Sequence, residues 1–249
     1  MRSSLLFIFG LFAAALSLEA APEPEVIIIS GGVSLSQWEH YKPQPHDRWW
    51  MNFVRAARIR IQQIRSGDPK ANITWLVYKP AYLRRGSEEK KDLVKLIDSV
   101  RDAYNVKRVY FSKTSELLDY LNKGRSRETV KIADLEYFGH SNKASWMFDY
   151  SNYIDSCSKV WLHENDLPKL NPGIFSKDAY VRSWGCHSGE SMNAHFLRAT
   201  GVPMWGAVGK TQYLTDELPA LAERSGRWRS HPDAAGALGS QRAGEGVGR

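Results

Sequence analysis

Cysteine is scarce in this chain: of 249 residues only Cys157 and Cys186 carry a thiol, which limits the protein to a single internal disulfide. The sequence also has no internal repeat and no stretch that resembles a nucleic-acid-binding module, and its net charge of +7 is scattered. Beyond the first 21 residues, no apolar run reaches the length of a membrane-spanning helix. We therefore expect no nucleic-acid partner and no stable membrane anchor.

The first 21 residues have the layout of a secretory signal peptide. Arg2 precedes an apolar run from Leu5 to Leu16, and small residues follow as far as Ala21. No cysteine lies near this junction, which argues against a lipid anchor. The sequence thus predicts export to the periplasm or the extracellular space, one domain over residues 22–224, and a disordered Gly- and Arg-rich tail over 225–249.

Short apolar runs alternate with amphipathic stretches along the domain. This alternation predicts an α/β fold, a three-layer sandwich with a mostly parallel sheet of about six strands. The predicted strands are 26–30, 73–79, 106–111, 130–138, 179–184 and 202–209. The predicted helices are 47–65, with Asp47 as its N-cap, then 87–105, 114–124 and 191–200.

Two chemically capable side chains follow the ends of two of these strands. His140 comes directly after the strand at 130–138, and Cys186 comes after the strand at 179–184. Because ligands bind at the carboxyl ends of parallel strands, we expect both residues at one edge of the sheet. An imidazole there can activate a thiol or protonate a leaving amine. Amides at the start of the following helix would favour a thiolate, and those of the Gly185–Gly189 turn would face an oxyanion.

This arrangement resembles the caspase, legumain and gingipain superfamily of cysteine peptidases. The motifs are Gly139-His140 at one strand end and Cys186-His187-Ser188-Gly189 at another, and the 46-residue separation is close to the roughly 50 of caspases. The resemblance implies a hydrolase that cleaves protein or peptide substrates through a His140–Cys186 dyad. It further implies substrate and oxyanion contacts at Gly139, Ser141 and Gly185, and neither metal nor other cofactor.

The sequence departs from that pattern at two positions. Ser141 stands where the family has glycine, and Gly185 stands where it has alanine. Serine keeps the backbone N–H but lacks the conformational freedom of glycine. Asp149 and Glu190 are candidates for attracting a basic substrate side chain.

Other interpretations stay open. Cys186 is also a candidate for a disulfide with Cys157 or for a small buried residue, and the domain would then be an inactive binding or scaffold module. Residues 139–143 partly match the nucleophile elbow of α/β-hydrolases, although Lys143 replaces its last glycine. A metal site from His187, Glu190 and His195 is disfavoured, because 190 and 195 do not share a helix face.

Overall fold

The structure is a computed structural model, and it describes residues 21–43, 45–151 and 159–230. The predicted signal peptide, apart from Ala21, lies outside the described residues, and so does Cys157. Among the described residues, no helix combines the length and the apolar character that crossing a membrane requires.

A seven-stranded sheet forms the centre of a three-layer α/β sandwich, and six of its strands run parallel. The strand order is β12-β9-β8-β4-β1-β2-β3, and only β12 is antiparallel to its neighbour. The strands are β1 (Glu23–Ser30), β2 (Ile73–Tyr78), β3 (Lys107–Phe111), β4 (Val130–Phe138), β5 (His140–Ser141), β6 (Ser145–Met147), β7 (Trp161–His163), β8 (Phe175–Ser183), β9 (Met204–Val208), β10 (Thr211–Gln212), β11 (Ala220–Leu221) and β12 (Arg227–Arg229). The six parallel strands are those that the sequence predicts.

Helices cover both faces of the sheet. They are α1 (Ser36–Glu39), α2 (Asn52–Gly67), α3 (Lys79–Glu89), α4 (Leu93–Tyr104), α5 (Thr114–Lys123) and α6 (Met192–Thr200), and 3₁₀ turns lie at Glu164–Lys169 and Pro172–Ile174. The single helix predicted over 87–105 is wrong. Lys90 adopts a left-handed conformation that ends α3, and the Asp92 carboxylate accepts a hydrogen bond from the Lys95 amide to start α4.

Alternate residues of each central strand belong to two separate cores. Ile27 and Ile29 pack with Leu76 on the face covered by α5 and α6, whereas Ile28 packs with Trp75 on the face covered by α2 and α4. All five side chains are fully buried. This period of two, with both sets apolar, explains why the strands are continuous apolar runs. Each such side chain contributes about 1.5–3 kcal/mol of burial free energy.

The predicted disordered tail is wrong at its beginning. Arg227–Arg229 form β12, which pairs antiparallel with β9 at the sheet edge. Trp228 is buried and packs edge-to-face on Trp184, with ring centroids 5.4 Å apart. One buried tryptophan thus anchors a segment whose composition resembles a linker, and residues 231–249 lie outside the described part.

Two small antiparallel sheets lie beyond the carboxyl edge of the main sheet. β5, β6 and β7 form one directly after β4, and β10 and β11 form a hairpin after β9. The parallel strands have the order 3-2-1-4-5-6 when numbered among themselves, so the winding direction reverses between β1 and β4. Crevices for ligands form at this switch point.

Candidate functional site

His140 and Cys186 follow the ends of neighbouring parallel strands. His140 comes two residues after β4, Cys186 comes three residues after β8, and β4 pairs with β8 in the sheet. The loop after β1 reaches the same edge, because β1 lies on the other side of β4. The sheet therefore brings these two strand ends to one edge, next to the switch point.

A buried carboxylate orients the His140 ring. His140 Nε2 lies 2.6 Å from Asp47 Oδ2, and the same oxygen accepts a hydrogen bond from the Ser34 amide at 2.8 Å. Asp47 is fully buried. Burial alone would raise the pKa of its carboxyl, but the charge and hydrogen bond of His140 outweigh burial and hold the pKa well below its usual range. Asp47 is therefore a carboxylate at neutral pH, and its Oδ2 accepts a hydrogen bond from Nε2 of His140.

Two charged side chains fix the loop that carries Asp47. Glu39 accepts hydrogen bonds from the His46 and Asp47 amides, each at 2.8 Å. The buried Arg85 donates to the carbonyl oxygens of Ser34 and Asp47, at 2.8 and 3.0 Å. These bonds satisfy backbone groups that the loop would otherwise bury unpaired.

The prediction that Asp47 is a helix N-cap is wrong. Asp47 does not cap a helix: α2 begins at Asn52, and its N-cap Met51 makes no side-chain capping bond. Asp47 is 93 residues from His140, so no local spacing connects the two. A buried-carboxylate partner for His140 is an arrangement that only the fold creates.

Aromatic rings surround the His140 imidazole. Its centroid lies 4.2 Å from that of Tyr150, 4.8 Å from that of His46 and 4.9 Å from that of Phe53, the last in edge-to-face geometry. These contacts restrict rotation of the ring, so the Asp47 hydrogen bond and the packing select the same orientation.

Cys186 is a free, partly exposed cysteine. Its sulfur contacts Thr211, whose amide donates to Sγ at 3.4 Å and whose Oγ1 lies 3.6 Å away. The Thr211 hydroxyl donates to the Trp184 carbonyl at 2.9 Å, which holds the threonine beside the thiol. Among the residues that the structure describes, these contacts to Thr211 are the hydrogen bonds of the sulfur, and none joins it to His140.

Tyr213 binds the end of β4 and lies close enough to Cys186 to sense its charge. The Gly139 amide donates to its hydroxyl at 2.8 Å, so this amide does not face a ligand. Burial raises the pKa of Tyr213 well above its usual range, the Gly139 bond opposes the rise, and the charge of Cys186 adds to it. Tyr213 thus stays protonated near the thiol.

The turn after Cys186 leaves only part of its backbone available. The His187 and Gly189 amides donate to the carbonyls of Gly209 and Ala207, at 2.8 and 2.9 Å. Within the described ranges, the amides of Gly185 and Cys186 donate no backbone hydrogen bond, whereas that of Trp184 donates to the Tyr137 carbonyl at 2.8 Å. The helix predicted over 191–200 is confirmed as α6, which begins at Met192, so its first amides lie six residues along the chain from Cys186.

The two departures from the family pattern contact each other. The Ser141 hydroxyl donates to the Cys186 carbonyl at 2.5 Å. A Cβ built on Gly185 would lie 2.2 Å from Ser141 Oγ and 2.8 Å from Ser141 Cβ. The serine side chain thus fills the space that an alanine at 185 would need. Ser141 is also buried in the short strand β5, which contradicts the nucleophile-elbow interpretation.

The acidic candidates for substrate contact already have partners. Asp149 is buried and lies 3.0 Å from Arg84, and Glu190 binds His187 at 2.6 Å and the Gly209 amide at 2.9 Å. Burial raises the pKa of Asp149, but hydrogen bonds from Ser151 and Arg84 outweigh it and lower that pKa.

Two groups of His and acidic side chains near the sheet edge contain residue types that bind metals. His187, Glu190 and His195, which the sequence disfavours as a metal site, form no such cluster among the described residues, because His187 binds Glu190 whereas His195 lies 3.7 Å from Glu164. His46, Asp47 and His140 do converge, with one ligand atom of each within 4.8 Å of the others.

An open cavity of about 590 Å³ begins one residue beyond Thr211. Its lining runs from Gln212 to Gly226 and includes the carboxylates of Asp216, Glu217 and Glu223. The first lining residue, Gln212, directly follows Thr211, and Thr211 contacts the Cys186 sulfur.

No protein-family model matches the chain, and no curated protein or solved structure gives a significant match.

Proposed function

We propose that this protein is an exported, caspase-like cysteine peptidase. Cys186 is the nucleophile, His140 is the general acid and base, and Asp47 is the residue that positions His140. The observation that carries the proposal is the His140–Asp47 hydrogen bond of 2.6 Å, formed one strand away from a free, partly exposed thiol. Export rests on the signal-peptide pattern of the first 21 residues.

The proposed reaction transfers an acyl group through the sulfur. The Cys186 thiolate attacks the peptide carbonyl, the C–S bond forms, and the carbonyl electrons move onto oxygen. The amides of Gly185 and Cys186 are the donors available to that oxyanion. His140 takes up the proton that leaves the Cys186 thiol, and it gives this proton to the leaving amine as the carbonyl re-forms and the C–N bond breaks. It later takes a proton from the water that attacks the thioester, and it returns that proton to the sulfur as the C–S bond breaks.

The absence of a His140–Cys186 hydrogen bond is compatible with this role. A group that protonates the leaving amine must contact the nitrogen of the scissile peptide bond. That nitrogen is bonded to the carbonyl carbon that the sulfur attacks, so the imidazole does not need to touch the sulfur itself. Catalytic hydrogen bonds are also often long before substrate binds. The Nε2–Asp47 bond leaves Nδ1 as the nitrogen that exchanges protons with substrate.

The first test measures how fast iodoacetamide labels Cys186 as a function of pH, with the labelled peptide identified by mass spectrometry. A reactive dyad gives labelling at a pH well below the free thiol pKa of about 8.5, and His140→Ala slows it or moves the profile upward. The control is His187→Asn, which removes the imidazole adjacent in sequence while asparagine tolerates the left-handed backbone at φ 60°.

Three outcomes contradict the proposal. If His187→Asn slows labelling and His140→Ala does not, the base is misassigned. If Cys186 is labelled only after reduction, together with Cys157, the two form a disulfide and the domain is a binding module. If the wild type cleaves denatured protein substrates no faster than Cys186→Ala does, the domain is not a peptidase.

A further inference from the structure

Asp47 has one carboxylate oxygen without a hydrogen bond, although the residue is fully buried. Oδ2 is used by His140 and by the Ser34 amide, whereas Oδ1 accepts none. An unpaired carboxylate oxygen in the interior destabilises the fold, because it has lost its water without gaining a hydrogen bond. Such an oxygen needs an explanation other than folding stability.

His46 lies beside that oxygen. Its Nδ1 is 3.8 Å from Asp47 Oδ1, which is too long for a hydrogen bond, and its side chain is 48% exposed. His46 therefore carries a nitrogen that faces the buried carboxylate while its ring remains open to solvent.

We propose that His46, Asp47 and His140 form a binding site for a divalent transition-metal ion of the zinc type. Two imidazoles and a carboxylate are a ligand set that zinc accepts, and a fourth position stays open to water. Ligand atoms on zinc are about 3.3 Å apart for bonds near 2.0 Å. The 2.6 Å separation, at Asp47 Oδ2, and the 3.8 Å separation, at Asp47 Oδ1, lie on either side of that value, and the ligand atoms of all three residues lie within 4.8 Å of one another.

The surroundings favour a metal at this place. Glu39 and Arg85 hold the loop of Asp47 through its backbone, and the Ser34 amide orients the carboxylate. Partners that bind ligands in this way position them for a metal. Exposed His46 is the side from which the ion enters.

Metal binding would stop the proposed proton transfer, and this part rests on the proposed function. An ion bound between His46, Asp47 and His140 would replace the His140–Asp47 hydrogen bond that orients the imidazole. Its positive charge beside the ring would also oppose the positive charge that His140 gains when it accepts a proton. Removal of the ion would restore the hydrogen bond.

The experiment titrates the mature protein with zinc against a chromophoric zinc indicator. We expect one equivalent to bind, and His46→Ala to weaken binding by about tenfold or more. His195→Ala, which removes a partly exposed imidazole near Glu164, is the matched control and should leave affinity unchanged. Cys186→Ala should also leave it unchanged, because the site does not use the thiol.

A zinc affinity of His46→Ala equal to that of the wild type would overturn the site. Loss of zinc binding in Cys186→Ala would also overturn it, because the ion would then be bound by the sulfur. The inhibitory consequence is measured separately, as the ratio of Cys186 alkylation rates without and with zinc. We expect a ratio well above one in the wild type, reversed by a chelator, and close to one in His46→Ala. Site-specific binding with an unchanged rate in the wild type would overturn inhibition and leave the metal site standing.

Discussion

Replacing Gly185 by alanine places a methyl group where Ser141 already has its hydroxyl. The new Cβ would lie 2.2 Å from Ser141 Oγ, 2.8 Å from Ser141 Cβ and 3.0 Å from the Gly139 carbonyl oxygen. The hydroxyl cannot move away freely, because it is buried and donates to the Cys186 carbonyl. The strand-end turns must separate, or that hydrogen bond must break.

The expected cost follows from this overlap. Overpacking by one methyl group destabilises a core by about 1–3 kcal/mol. For a domain of this size, that corresponds to a fall in Tm of about 2–12 °C. Ser141→Gly alone loses one hydrogen bond, about 1 kcal/mol, and adds about 0.5–1 kcal/mol of glycine backbone entropy.

A double-mutant cycle in urea separates the two effects. Because Ser141→Gly empties the space that the methyl group needs, we expect Ser141→Gly/Gly185→Ala to be more stable than the sum of the single changes predicts, by about 1–3 kcal/mol. The control is Gly67→Ala at the end of α2, where a Cβ meets no atom within 4 Å. It should show no coupling with Ser141→Gly.

Additive free energies in this cycle would refute the reasoning, as would a Gly185→Ala variant as stable as the wild type. Either result would mean that the turn relaxes without cost and that the two departures from the peptidase pattern are independent. A strong positive coupling would mean that each departure accommodates the other, so Ser141 is no sign by itself of a degenerate site.

Three further predictions concern the rest of the fold. The folded pKa of Asp47 lies below its unfolded value of about 3.9, so the stability that it contributes is present above that pH and is lost as the pH falls through the folded pKa. In urea titrations at acidic pH, the free energy of unfolding of Asp47→Asn should therefore fall less steeply with decreasing pH than that of the wild type. An equal dependence on pH would contradict this. Trp228→Ala should lower the free energy of unfolding by about 3–5 kcal/mol, whereas Trp161→Ala, at a side chain that is 45% exposed, should lower it far less. Equal losses of stability in thermal melts would argue against the packing of β12. Burial and the charge of Glu25 raise the pKa of Tyr120 to about 12. Because the unfolded tyrosine ionises near pH 10, the free energy of unfolding should fall between about pH 10 and 12. Tyr120→Phe should remove that part of the loss in unfolding curves at alkaline pH.

The sequence by itself determined the six parallel strands and the strand-end positions of His140 and Cys186. Fully buried parallel strands need apolar residues on both faces, so runs such as 26–30 can be recognised locally. The parallel arrangement follows from helices placed between strands, and it sends both residues to the carboxyl edge of the sheet. Nothing beyond local pattern was needed for either result.

Tertiary structure alone decided the partners at that edge. Asp47 meets His140 across 93 residues, Thr211 meets the Cys186 sulfur from beyond β9, and Ser141 fills the space above Gly185. Trp228 likewise turns a linker-like segment into an edge strand. Such contacts depend on which loops the sheet brings together, and no periodicity or spacing in the chain encodes them, because each partner fits its own local structure equally well without the other.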